Sequence, residues 1–294
     1  MKLSKFLPLL PAMILMACSS PSPPPPPVPA QLPIAIQSAR GIDIATDAGG
    51  FLNELTQNHV DFVARYYRGP ESRWPPLSIG EARLLSSLGL KIVAVWESHS
   101  RTPGYFSYSS GFSDAMTAYR QAKAIGQPPG SAIYFAVDFN AQGRSFERID
   151  QYFRGIQAGL AAASGRIPDY AVGVYGSGAV CDAVKAAGLA RYAWLSNSIA
   201  WTGSIGYQDW DIRQGGRLPE LSFNHDGDEA RDDYGAFQVA SGDFAAPLHF
   251  APAQDVAQRT PQPGQSLAAA QLVQPGNQAA AARGRAAAAA LPAM

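Results

Sequence analysis

The sequence predicts a (β/α)8 TIM barrel of modest size, irregular in its last two units. Three observations carry this prediction. Between residue 41 and about residue 230, eight short β-rich runs recur, mostly separated by stretches with helical start and stop signals, as in a parallel sheet with crossover helices. The Gly-rich phosphate-binding turn that follows the first strand of an open doubly wound sheet is missing, because the chain there reads Thr46-Asp47-Ala48-Gly49-Gly50. Polar residues, carboxylates above all, fall at the ends of the runs, where barrels of this type place reactive groups. An open doubly wound sheet is the alternative architecture.

The chain begins with Lys2 and Lys5, then an apolar run over residues 6–16, then small residues before Cys18. That layout is a secretory signal over residues 1–17, too short for a membrane span. Leu15-Met16-Ala17 before Cys18 resembles the lipobox of bacterial lipoproteins, which implies that Cys18 is lipidated and becomes the mature N-terminus. Ser19, in place of an aspartate, suits an outer membrane if the host has one. A plain cleaved signal with a chance cysteine is the alternative. Residues 18–37 carry five consecutive prolines from Pro23 and read as a polyproline II stalk. Its Ser, Pro and Ala stretch reaches roughly 45 Å at ~3.1 Å per residue.

The eight strand candidates are residues 41–45, 62–67, 92–96, 133–139, 171–175, 193–197, 210–214 and 221–225. Among the helices, Ser78 with Glu81 three positions on reads as a capping box, and Gly89 is the stop. Residues 113–126, 145–165 and 178–188 follow the same grammar. No helical pattern stands out between residues 199 and 222. The barrel is expected over residues 38–245. Residues 246–294, rich in Ala, Gln, Pro and Gly, lack the apolar content to order a fold and read as a disordered tail.

Lys plus Arg and Asp plus Glu each number 23, so the formal net charge is zero. This argues against a nucleic-acid partner and for a small-molecule or glycan one. Cys181 is the only cysteine besides Cys18, so the mature chain has no internal disulfide and depends on its core. His59, His99, His225 and His249 show no zinc-ligand spacing, and neither a metal nor a cofactor is implied. Ser177 in Tyr175-Gly176-Ser177-Gly178 lacks the nucleophile-elbow pattern, and Cys181 reads as a small apolar residue within a helix.

The strand ends supply the candidate site. Asp43 lies in the first strand, Arg65 near the end of the second, Glu97 after the third, and Asp138 with Asn140 at the end of the fourth. Tyr175, Asn197, Gln214, Asp226 and Asp228 follow. Asp138 and Asn140, two apart in an extended segment, are expected on one face. Carboxylates and aromatics around one mouth suit glycoside hydrolysis, which needs a protonated carboxyl to donate to the leaving oxygen and a negative group against the oxocarbenium-like centre. Trp96, Tyr66, Tyr67, Tyr175, Trp194 and Trp210 are candidate stacking faces for sugar rings. Taken singly, each aspartate serves equally well as a helix cap or an arginine partner, and each aromatic as core.

Gly41-Ile42-Asp43, Ala64-Arg65-Tyr66-Tyr67, the run from Ile133 to Phe139, and Gly173-Val174-Tyr175-Gly176 resemble the bacterial glycoside-hydrolase-like family known as domain of unknown function 1906. The resemblance covers about residues 38–240. That family is similar to the family 25 glycoside hydrolases, lysozymes that cut peptidoglycan, which implies a shared barrel and a cell-wall glycan partner. By motif, Asp43 matches the aspartate of the opening strand, Asp138 the first carboxylate of the fourth-strand pair, Gln214 the seventh-strand glutamine, and Asp226 or Asp228 the last-strand acid. The lysozymes carry their acid two residues after the fourth-strand aspartate, where this chain has Asn140, which has no proton to donate. Glu97 is then the expected acid, with Asp138 and Asp43 stabilising positive charge. Arg65, Tyr67, Asn140, Tyr175, Trp194, Asn197, Gln214, Asp226 and Asp228 are the expected substrate contacts. The expectation is a membrane-anchored glycoside-hydrolase-like protein acting on peptidoglycan or another envelope polysaccharide. An inactive barrel that binds the same glycan, favoured by Asn140, and a structural envelope protein are the alternatives.

Overall fold

A computed structural model describes residues 38–240; the signal, Cys18, the stalk and the tail expected from residue 246 lie outside the described residues. Eight strands close into a barrel in chain order: β1 Ser38–Asp43, β2 Phe62–Tyr67, β3 Lys91–Trp96, β4 Ala132–Ala136, β5 Ala171–Gly176, β6 Tyr192–Leu195, β7 Ile212–Gln214 and β8 Asp226–Arg231. Five α-helices intervene: α1 Leu52–Gln57, α2 Ile79–Ser87, α3 Tyr108–Ile125, α4 Ser145–Ser164 and α5 Gly178–Ala186. The eight-stranded barrel agrees with the sequence expectation. None of these helices is long and apolar enough to cross a membrane.

Two details differ from expectation. The eighth strand is the polar run Asp226–Arg231, not residues 221–225, and it runs antiparallel to both β1 and β7. No helix separates β7 from β8, so the chain turns straight back, and a direct return gives antiparallel pairing. Residues 221–225 instead cover the rim: Phe223 stacks on Phe51 at 4.0 Å, and the Leu218 backbone N–H donates to His225 Nε2 at 2.9 Å.

Alternation along the strands sorts the side chains into two buried layers. Phe62, Ala64, Val93, Val95, Tyr134, Tyr192, Trp194 and Ile212 fill the lumen. Val63, Tyr67, Ile92, Ala94, Trp96, Ile133, Phe135, Val172 and Val174 face outward against the helices. The lumen is narrow, and large rings fit because glycines stand opposite them. A Cβ at Gly41 would lie 2.2 Å from the Phe62 ring, and one at Gly173 2.4 Å from Tyr134.

The bottom of the barrel is sealed by the segment after β8. Phe237 pairs with Ile92 at the foot of β3, and the Tyr134 hydroxyl donates to the Tyr234 carbonyl at 2.9 Å. Among the described residues, the lumen therefore opens at the C-terminal ends of β1 to β7. At the start of α2, Ser78 accepts from the Glu81 backbone N–H at 3.1 Å, a cap that contributes about 1 kcal/mol. Glu81 does not close the capping box. Its carboxylate leaves the helix to take Arg65 and the Ala48 backbone N–H.

Candidate active site

The inward phase of the strands builds the site. Asp43 continues the row of Ala39 and Gly41, Tyr66 that of Phe62 and Ala64, Glu97 follows Val95, and Asp138 follows Ala136. With Tyr175, Gln214 and Asp226 they line a cleft of about 350 Å³ at the mouth. That volume lies in the range of small-molecule sites.

Asp43 anchors the floor. It is 5% exposed, accepts from the Tyr66 hydroxyl at 2.7 Å on one oxygen and from Gln214 Nε2 at 2.7 Å on the other. Gln214 is fixed in turn by the Tyr175 hydroxyl at 3.0 Å and the Asn197 backbone N–H at 3.3 Å, both donating to its Oε1. Burial pushes the Asp43 carboxyl up to about 7 and outweighs the donors Gln214 and Tyr66; the negative Asp226 and Glu97 push the same way. Behind it lies Asp228, 5% exposed, which accepts from Trp194 Nε1 at 2.9 Å and has no partner for its second oxygen. Burial, and then the charge of Asp43, hold Asp228 well above the usual carboxylate range. Asp226 is raised too, mainly by burial.

The opposite wall carries paired charges. Glu97 accepts from Arg68 Nη1 at 3.3 Å and from the Ser100 hydroxyl at 3.0 Å. A cation and a hydroxyl thus hold the Glu97 carboxylate at the cleft wall. Asp138 accepts from Arg101 Nε at 2.5 Å, an arginine whose side chain is 82% exposed. The Asp138 backbone N–H donates to the Ser100 carbonyl at 3.0 Å, tying the loop after β3 to the end of β4.

Several expected contacts are corrected. Arg65 and Tyr67 lie on the outward phase of β2 and are fully buried away from the mouth. Arg65 donates to Glu81 at 2.5 and 3.0 Å, and the Tyr67 hydroxyl donates to Gln127 at 2.6 Å. Neither lines the cleft. Asn140 does not share the face of Asp138, because β4 ends at Ala136 and the chain bends at Phe139. Its Oδ1 accepts from Thr202 N and Oγ1, each at 2.9 Å. Asp228 lies behind the cleft wall. Among the proposed stacking faces, Trp96 faces the helix layer, and Trp210 is buried under the guanidinium of Arg231 at 3.3 Å. Trp194 lines the cleft but is 1% exposed, packed edge-to-face on Tyr175 at 5.3 Å, so it is wall more than platform.

Arg101, Ser198 and Trp201, which sequence reasoning missed, also line the cleft, and Arg68 stands behind Glu97. All lie in connections, where no periodicity marks inward positions. The one available signal is that Arg68 follows strand β2 directly, while Arg101 stands in the loop after β3. No cluster of His, Cys, Asp or Glu among the described residues can hold a metal ion.

A family model described as "Rv2525c-like, glycoside hydrolase-like domain" matches residues 53–243. The chain is 30% identical over 165 residues to the uncharacterized protein YbfG of Bacillus subtilis (strain 168), covering 52% of this chain. It is 32% identical over 130 residues to the uncharacterized protein FadG of the same organism, covering 44% of this chain. It spans 22% of the length of each of these relatives. Among solved structures, the Tat-secreted protein Rv2525c of Mycobacterium tuberculosis, in complex with HEPES, aligns with a TM-score of 0.55 at 21% identity, covering 68% of this chain and 98% of that one. That likeness is one of fold.

Proposed function

As this chain belongs to the Rv2525c-like, glycoside hydrolase-like family, we propose that its cleft binds and cleaves a polysaccharide of the bacterial cell envelope, peptidoglycan being the leading substrate. The observation that carries the reading is the unequal treatment of three carboxyls around one cleft. Asp43 is desolvated and holds its proton near neutrality, whereas Glu97 and Asp138 each face a guanidinium. Glycoside hydrolysis needs that division between a proton donor and negative groups beside the oxocarbenium-like centre.

In this scheme Asp43 takes the role of acid that the sequence points to Glu97 for, while Glu97 and Asp138 stabilise the developing positive charge. Tyr66 and Gln214 orient the Asp43 carboxyl, and Tyr175 orients Gln214. Arg101 leaves Asp138 when substrate enters; an exposed ion pair of this kind is worth only ~0–1 kcal/mol. Asn197, Trp201 and Asp226 contact the sugar. The test is incubation of the purified protein with peptidoglycan and a panel of envelope polysaccharides, with reducing ends and fragment masses as the readout. Fragments that disappear in Asp43→Asn and Asp138→Asn support cleavage.

A second reading, an inactive glycan-binding barrel, is favoured by Asn140, which stands in sequence two residues after Asp138, where the resembled lysozymes carry their acid, and is locked onto Thr202. Retention on the glycan without fragments is its expected outcome. We further propose export and lipid anchoring at Cys18. The signal-like segment ending at Cys18 supports both, and the Mycobacterium tuberculosis protein's description as Tat-secreted supports export alone. Mass spectrometry of the mature N-terminus, with Cys18→Ser as control, decides it.

A further inference from the structure

Asn140 has no part in the proposed chemistry, yet it is firmly held. It stands in the connection between β4 and α4, and its Oδ1 accepts from both the backbone N–H and the hydroxyl of Thr202, each at 2.9 Å. Thr202 belongs to the connection between β6 and β7, which has no helix of its own. That connection is docked on the start of α5: the Thr202 carbonyl accepts from the Ala179 N–H at 3.0 Å, and the Ser204 hydroxyl from the Gly178 N–H at 3.2 Å. Between them Gly203 has a φ of +75°, and a Cβ there would come within 2.7 Å of Ala179 N, so glycine is what lets the loop lie so close to the helix. The Thr202 N–H is left to Asn140. It belongs to the rigid peptide unit that joins Trp201 to Thr202, so holding it fixes the direction in which the Trp201 side chain leaves the backbone.

Trp201 is half-buried and lines the cleft with Asn197 and Ser198 of the same connection, while Asp138 lines it from the connection that carries Asn140. The Asn140 bonds therefore tie a loop bearing a cleft carboxylate to a loop bearing a cleft aromatic. We infer that Asn140 is a positioning residue: by holding the Trp201–Thr202 peptide, it sets the Trp201 indole as the wall on which the apolar face of a sugar ring packs. The inference rests on the polysaccharide reading, in its cleaving or its binding form, and gives a task to the residue that departs from the lysozyme pattern. Both bonds use only the acceptor Oδ1, so a carboxylate at position 140 can make them too, whereas an alkyl side chain can make neither.

The test uses the full-length protein and sonicated, purified peptidoglycan, with two readouts. In a Trp74→Phe background the other tryptophans, Trp96, Trp194 and Trp210, are at most 4% exposed, so acrylamide quenching of fluorescence reports on Trp201. Asn140→Ala should raise that quenching in the free protein, and Asn140→Asp should leave it unchanged. In binding, Trp201→Ala should weaken affinity about tenfold and Asn140→Ala about threefold, with Asn140→Asp within about twofold of the wild type. Adding Asn140→Ala to Trp201→Ala should cost nothing more, a non-additivity that a merely structural role would not produce. Should Asn140→Ala melt early, Asn140→Leu, which keeps the volume and removes the acceptor, carries the same expectations. Unchanged quenching, unchanged affinity, or losses that add in the double variant overturn the positioning role alone. A wild-type protein that does not bind overturns peptidoglycan as the ligand, and the sugar wall with it, whatever the quenching.

Discussion

The two faces of the barrel wall treat buried charge in opposite ways. On the outer face, Arg65 is fully buried, yet its guanidinium meets Glu81 twice and the Ile44 carbonyl once, and Glu81 also takes the Ala48 N–H. On the inner face, Asp43 and Asp228 are buried beside each other with neutral donors only, and one oxygen of Asp228 has none. A buried charge that is fully compensated fixes structure. Two carboxyls buried without a cation have their pKa values raised by desolvation above all, that of Asp228 further by the charge of Asp43; this costs stability and leaves a group able to give up a proton near neutrality. One residue of phase on β2, from Arg65 to Tyr66, separates the two regimes.

The contrast can be broken most forcefully from the outside. Glu81→Ala leaves Arg65 buried and unpaired, so chemical denaturation should show a loss of about 3–5 kcal/mol. Inside, Asp43→Asn should cost turnover and little stability: a fall of about 10²–10⁴-fold in fragment release, with the melting temperature held or raised. If Asp43→Asn unfolds the protein as Glu81→Ala does, the two faces are not different in kind.

The pH dependence sharpens the same point. Asp43 has its pKa raised from 3.8 to about 7 in the folded protein, so the folded state binds more protons than the unfolded state between those values. Stability from this group is therefore present at low pH and falls as pH rises from about 4 to about 7. Asp228→Asn removes the like charge and keeps the Trp194 bond, so melting curves from pH 4 to 8 should flatten, with a gain of about 1–2 kcal/mol at the upper end. The smallest effect expected is that of Arg101→Ala, whose exposed pair with Asp138 contributes under about 1 kcal/mol to stability. Raised salt should weaken that contribution further.

Much of this arrangement is legible in the sequence because it follows from period and punctuation. β2 falls on its expected residues, and Ser78 caps α2 as its spacing predicts. Asp43, Glu97, Asp138, Tyr175 and Gln214 meet at one mouth because strand ends of a barrel converge. What escapes is register and partnership. Nothing local tells Arg65 and Tyr67 from Tyr66, since the inward phase of β2 is set by its pairing with β1 and β3. β8 escapes because its residues, Asp226 to Arg231, are polar and draw their strand character from neighbours on both sides. Arg101 and Trp201 escape because loops carry no periodic signal.

The antiparallel course of β8 also decides which way the barrel faces. A strand running with its neighbours would finish beside the mouth, but β8 carries the chain to the opposite pole, where Arg231 pairs with Ser38 at the start of β1. The described chain thus enters and leaves at one pole, and Phe237 continues beneath that pole against Ile92. Residues 38 and 240, the two ends of the described chain, therefore both lie at the pole turned away from the cleft.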